Sequence, residues 1–187
     1  MDKDIAAEAK EYPLREVTLH EGEHLVKGMY PPQWMPDLKR GSVGIFEKNN
    51  TSVTRMNEIG LDEAIKLVKA DIEIKDGVPN GKITAAVGVI AVADVVSIGK
   101  TPLDGKKPPP VVHFRVYEEK TEKNEHHAEI VPFEDIECSK LRKNVSTGYS
   151  RKLRDKLHNY LLDAEGKITE ENPPDSSSAN DTGTTGH

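Results

Sequence analysis

The sequence predicts a single α/β domain of the mixed α+β kind, with a mostly antiparallel sheet, two or more helices and a disordered C-terminal tail. Three observations predict it. A largely apolar run from Ile83 to Ile98 supplies a core element. Val111 to Tyr117 and His127 to Val131 alternate apolar and polar residues around a charged stretch, the pattern of an antiparallel hairpin. Leu61 to Ala70 and Arg151 to Ala164 carry apolar residues at helical spacing. With 187 residues the chain holds one domain with a real core and is too short for two. Its boundaries read as a polar N-terminal segment over 1–14, the domain over 15–168 and the tail over 169–187.

Taken in order, Val17 to Val26 reads as extended. Pro31, Pro32 and Pro36 forbid a helix interior in "MYPPQWMPDLKRG" and make it an irregular loop. Short strands follow at Ser42 to Phe46 and Ser52 to Met56, divided by an Asn49-Asn50 turn. In the helix from Leu61 to Ala70, Leu61, Ile65 and Val68 share a face. Asp62 and Glu63 stand in its first turn and Lys66 and Lys69 in its last, which suits the helix dipole. "DIEIKDG" alternates and ends in an Asp-Gly turn signal. Ala85 to Ala91 is a buried strand, and Val92 to Ile98 either continues it or becomes a short helix. "GKTPLDGKKPPP" is a loop. In the hairpin, Val112, Phe114 and Val116 face one way and His113, Arg115 and Tyr117 the other. The last helix begins at an N-cap Ser150, buries Leu153, Leu157 and Leu161, and stops at Gly166. Residues beyond Glu170 are too polar to bury apolar area.

Composition narrows the function classes. A net charge of −6 argues against general coating of nucleic acid. One cysteine, Cys138, rules out an internal disulfide and a cysteine-based zinc knuckle within the chain. "MDKDIAAEAKEYP" does not read as a secretory signal. The run from Ile83 to Ile98 falls short of the roughly 20 residues that cross a bilayer and contains Asp94, which reads as a helix cap or a satisfied carboxylate. The expected location is therefore the cytoplasm, with no membrane partner.

Several residue sets point to chemistry. His20-Glu21-Gly22-Glu23-His24 spells H-E-x-x-H, the zinc-protease pattern, which requires both imidazoles on one helical face. Gly22 costs about 1 kcal/mol of helix propensity there, Gly28 and Pro31 end any helix early, and no clear third ligand follows, Glu58 and Glu63 being arbitrary choices. The expectation is that His20 and His24 hold no metal. His126-His127-Ala128-Glu129 places His127 and Glu129 on one strand face, with His113 on the paired strand able to approach them. Lys27 or Arg40, then Ser42, Thr51-Ser52 and Glu129 have the layout of ADP-ribosyltransferases, where a cation holds the NAD pyrophosphate and a glutamate steadies an oxocarbenium-like centre. Ser52, His127 and Glu129 are accordingly the candidate catalytic residues. Between Ser139 and Lys156, Lys140, Arg142, Lys143, Arg151, Lys152, Arg154 and Lys156 stand against one acid, Asp155. The first six form a candidate docking surface for an acidic protein or for nucleic-acid phosphate. The acidic remainder of the chain is also a natural mate for it in a homo-oligomer. Trp34, the one tryptophan, reads as a pin holding its loop to the core, with a recognition role as the alternative.

"RGSVGIF", "TSVTRM" and "HAEI" together resemble a widespread group of small bacterial proteins of unassigned function, with S-x-x-x-F, S-V and H-A-x-I segments. The matching positions are Ser42 to Phe46, Ser52-Val53 and His127 to Ile130, and the resemblance spans about residues 20–160. It implies a shared fold and shared polar positions, and no reaction. The function expected is a cytoplasmic, non-enzymatic interaction or accessory protein of a bacterial multi-gene system, needing no cofactor and docking through a basic terminal helix. An NAD-consuming ADP-ribosyltransferase-like enzyme and a zinc hydrolase are the alternatives.

Overall fold

The structure is a computed structural model that describes residues 19–100 and 112–174. In chain order its first half comprises β1 (His24–Met29), β2 (Trp34–Met35), a 3-10 turn (Pro36–Leu38), β3 (Arg40–Gly41), a second 3-10 turn (Val43–Phe46), β4 (Thr51–Arg55) and α1 (Gly60–Glu73). The second half comprises β5 (Ile74–Lys75), β6 (Val78–Pro79), β7 (Ala86–Ala91), α2 (Val92–Lys100), β8 (His113–Glu118), β9 (His127–Phe133), α3 (Thr147–Asp155), β10 (His158–Leu162) and β11 (Ile168–Asn172). Seven strands form one antiparallel sheet in the order β11-β10-β7-β1-β4-β9-β8. Among the described residues no helix is long and apolar enough to cross a membrane.

The pleat divides the core in two. Leu25, Met29, Val53, Ala128, Ile130, Phe114 and Val116 project to the side covered by α2, α3 and the second 3-10 turn, where Phe46, Tyr149 and Leu153 complete the larger cluster. Val26 and Val87 project to the other side and meet Ala64, Ile65 and Val68 of α1. A third cluster lies farther along that side, where Val131 and Phe133 of β9 are roofed by Cys138 and Leu141.

Most elements form where periodicity places them, and the departures have local causes. α1 runs on to Glu73, so Lys69 lies inside it and pairs with Glu73 four residues later, at 2.9 Å. The Asp-Gly signal makes a two-residue hairpin between β5 and β6, with Asp76 at φ 52° and Gly77 at φ 80°. The ambiguous run after β7 turns into α2, with Asp94 in its first turn and 3.8 Å from Lys156.

Three expectations are corrected. Ser42 to Phe46 is not a strand: Val43–Phe46 forms a 3-10 turn, packed on α3 and tied to it by the Ser150 hydroxyl, which donates to the Val43 carbonyl. The terminal helix is shorter and begins earlier than Arg151 to Ala164. It covers Thr147–Asp155, with Ser146 rather than Ser150 at the N-cap position. The chain then pairs with β7 as β10, because the edge of β7 needs a hydrogen-bonding partner and Leu157 fills the space above Gly88. Ile168–Asn172 forms the edge strand β11, so the region between 169 and 172 belongs to the domain. The N-terminal segment 1–14, most of the loop after α2, and residues 175–187 of the expected tail lie outside the described residues.

At one end of the sheet Arg55 ties three elements together. Its guanidinium donates to both carboxylate oxygens of Glu23, at 2.7 and 2.8 Å, and to Glu118 at 3.0 Å. The hydrogen bond to Glu23 raises its already high pKa. Lys27 lies between Leu25 and Met29 on the same strand face, so it enters the larger core half-buried. Burial, reinforced by repulsion from Lys48, lowers its pKa to about 8.

Two predictions follow from this packing. A Cβ added at Gly28 overlaps Val68 and Ile72 of α1, so Gly28→Ala is expected to lower unfolding free energy by about 1–3 kcal/mol in denaturant titrations. Lys27 has a folded pKa near 8 against an unfolded value near 10.5, so its charge penalises the folded state below pH 8. Lys27→Met should therefore stabilise the protein at pH 7 by roughly 1–2 kcal/mol, after discount for its partial exposure. Wild-type stability should gain on that of the variant as pH rises from 8 toward 10.5, read from melting curves across that window.

Candidate functional site

A groove of about 650 Å³ lies on the α1 side of the sheet. α1 covers β7, β1 and β4 but leaves the near end of β9 open. The groove is bounded by the C-terminal end of α1, the β5–β6 hairpin and the β8–β9 tip. Register explains its floor. Ser52 pairs with Glu129 and Thr54 with His127, so these side chains share the face that Gly28 turns toward α1. The exposed Ser52 hydroxyl and the half-buried His127 ring line the groove with Asp71.

Serine, histidine and aspartate together invite a hydrolase reading, and their contacts argue against it. Ser52 and His127 are diagonal across the strand pair, roughly 7 Å apart at Cα, with no hydrogen bond joining them. His127 engages the Glu119 carbonyl through Nδ1 at 2.8 Å. Asp71 accepts from the Asn124 amide at 2.8 Å, and that amide also reaches Thr54 at 2.9 Å. A nucleophile and its base need direct reach, and here histidine and aspartate are each engaged elsewhere.

Glu129 is 6% exposed and accepts from Asn50 Nδ2 at 3.1 Å, beneath the groove rather than in it. Of the ADP-ribosyltransferase set, the structure therefore keeps Ser52 beside Glu129 and separates the rest. Thr51 and Lys27 turn to the opposite face, and Arg40 lies on β3 beside another cavity. His113 pairs with Phe133, six residues along β9 from His127, which is roughly 20 Å in a strand. The three imidazoles do not converge. His20 and His24 lie on a turn and on the first residue of β1, both exposed, so the helical geometry of H-E-x-x-H is absent. Glu23, between them, is held by Arg55. Among the described residues no three His, Cys, Asp or Glu side chains are grouped to hold a metal.

The walls of the groove are what the sequence did not reveal. Tyr30, Lys75, Lys82, Asn80 and Lys123 come from four separate segments. Lys82 Nζ lies 4.4 Å above the Tyr30 ring and 3.3 Å from its hydroxyl. Ile74 and Val78 of the hairpin are exposed beside it, at 40% and 61%.

The basic set of the terminal region divides. Lys143 and Arg151 are exposed and Lys152 half-exposed, while Lys140 pairs with Glu134 and the Arg142 Nε donates to the Asn144 carbonyl. Arg154 corrects its expected outward position: it is 7% exposed and donates to Asp155 through Nε and Nη2, at 2.8 and 2.5 Å. Trp34 is 6% exposed in the larger core, so it pins its loop and offers no docking surface. Cys138 is also buried, its sulfur accepting from the Arg115 Nε at 3.1 Å. Comparison with known protein families, with curated proteins and with solved structures finds no match for the chain.

Proposed function

We propose that this chain is a cytoplasmic, non-enzymatic accessory protein of a bacterial multi-gene system, holding an acidic segment of another protein in the sheet-face groove. The basic outer side of α3 serves as an auxiliary contact. One observation carries the reading. The walls of the groove bring Lys75, Lys82 and Lys123 beside the exposed Ile74, while Ser52, Asp71 and His127 on its floor form no hydrogen-bonded catalytic unit. Lysines flanking an apolar rim suit a peptide that alternates carboxylates with aliphatic side chains. Asp71 and Glu122 offset part of the positive charge, and Asp71 is already engaged by Asn124. An overall charge of −6 favours a protein partner over nucleic acid.

Charge reversal separates the two surfaces. Lys75→Glu, Lys82→Glu and Lys123→Glu combined should weaken capture of the partner by about tenfold or more, whereas Arg151→Glu with Lys152→Glu should cost only a few-fold. Quantitative pull-down at two salt concentrations measures both, and unchanged capture by the triple variant removes the groove from the reading. The dispersal of Lys27, Arg40 and Glu129 also predicts that NAD leaves the melting temperature of the protein unchanged. A saturable upward shift, abolished by Glu129→Ala, would instead support a transferase.

A further inference from the structure

The chain contains one Asn-Gly pair, Asn80-Gly81, and Asn80 stands on the wall of the groove. Both residues are exposed, where the chain leaves β6. Asn80 caps the end of α1. Its backbone N–H donates to the Glu73 carbonyl at 2.9 Å, and its side-chain Nδ2 donates to the Ile72 carbonyl at 2.7 Å. These are two of the last helix carbonyls, which have no partner within the helix. The side-chain Oδ1 accepts from the Lys82 N–H at 2.9 Å, so the amide is folded back across the Gly81 peptide.

The local geometry favours attack of the Gly81 nitrogen on the Asn80 side chain. The Gly81 N–H meets no acceptor among the described residues. A Cβ built on Gly81 would meet nothing within 4 Å, so water and hydroxide reach this peptide from an open side. The Lys82 N–H draws electron density from the Asn80 amide carbonyl and makes its carbon more electrophilic. Lys75 and Lys82 stand on the same wall, and their positive field favours loss of the Gly81 amide proton. The two hydrogen bonds on the side-chain amide hold the reacting carbon in one orientation.

We infer that Asn80 is a site of self-modification, converting to aspartate and isoaspartate through a succinimide, and that the change weakens the hold of the groove on an acidic segment. The chemistry stands independently of the groove reading proposed above, and its effect on capture rests on that reading. Hydroxide takes the Gly81 amide proton, and the nitrogen lone pair forms a bond to Asn80 Cγ. The Cγ–Nδ2 bond breaks, and Nδ2 takes a proton from water and leaves as ammonia. Water then opens the ring. Attack at Cγ breaks its new bond to the Gly81 nitrogen and yields an aspartate. Attack at the Asn80 main-chain carbonyl breaks the original peptide bond and yields an isoaspartate, with the backbone running through Cγ. The nitrogen recovers a proton in either case, so asparagine and water become acid and ammonia. The product lacks the donor to the Ile72 carbonyl and places a carboxylate at the negative end of α1. It also sets that charge on the wall with Lys75 and Lys82, against the carboxylates of a bound segment.

The test compares the native full chain with the same chain unfolded in guanidinium chloride. Both are held at mildly alkaline pH and mapped by peptide mass spectrometry with isoaspartate detection. Asn80 should convert at least as fast in the native protein as in the unfolded chain, because the fold supplies an orientation that the loose chain must find. Slower conversion in the native protein would mean that the fold protects Asn80, and would overturn the assignment. This arm uses wild-type protein alone, so it does not depend on a variant that folds. In a second arm, intact and converted protein, separated by ion exchange, are titrated with a fluorescent peptide of alternating glutamate and valine. The converted form should bind about threefold or more weakly, and Asn80→Asp should do the same. Equal binding by the two forms would overturn the effect on capture. An intact protein that does not bind the peptide counts against the groove reading and the effect on capture together, while the mapping arm still decides the chemistry.

Discussion

The seating of α1 on β1 at Gly28 determines the layout of one whole face of the molecule. Glycine there lets Val68 and Ile72 reach the backbone of the central strand, so the helix axis is fixed over β7, β1 and β4. A 14-residue helix is about 21 Å long and about 10 Å wide, whereas seven strands span roughly 29 Å. One such helix leaves part of the sheet uncovered. The loop bearing Cys138 and Leu141 roofs the far end of β9, while the groove opens at its near end, between the end of α1, the β5–β6 hairpin and the β8–β9 tip. On the other face, two helices and a 3-10 turn close over Leu25, Met29 and Phe114. The opening there is displaced to the margin, where α3 gives way to β10.

Both openings are built from polar side chains at places where layers fail to meet, but they differ in character. The groove is broad, and on its floor His127 is engaged with the Glu119 carbonyl and Asp71 with the Asn124 amide. The marginal cavity is smaller, and Arg154 on its wall is held by Asp155.

Strand alternation was legible in the chain, and with it the sharing of one face by His127 and Glu129. A period of two leaves no other reading for "HFRVY" and "HAEI". The junction of α3 and β10 was not legible, for a specific reason. Leu153, Leu157 and Leu161 recur every four residues, and a spacing of four puts side chains on one face of a helix and equally on one face of a strand. Asn159, lying between two of those leucines, would be off the stripe of a helix but is in line with Leu161 in a strand. Hydrophobic pattern gave no sign of β11, since "ITEEN" earns its place through backbone pairing with β10 rather than through burial. The two cavities were hidden for a further reason. Tyr30, Asp71, Lys82 and His127, like Arg40, Arg154, Asn159 and Asn172, come from segments far apart in the chain. Only the topology of the sheet and the packing of helices on it bring each set together.

β11 also bears on how copies of the molecule treat one another. Among the described residues no strand pairs with its outer rim, which carries Glu170 beside Lys39 on one face and Glu171 beside His158 on the other. A second copy laid along this rim would have to accommodate these charged pairs, and charged side chains on an edge strand oppose edge-to-edge stacking. On this edge, then, sheet growth is opposed by residues that contribute almost nothing to the interior.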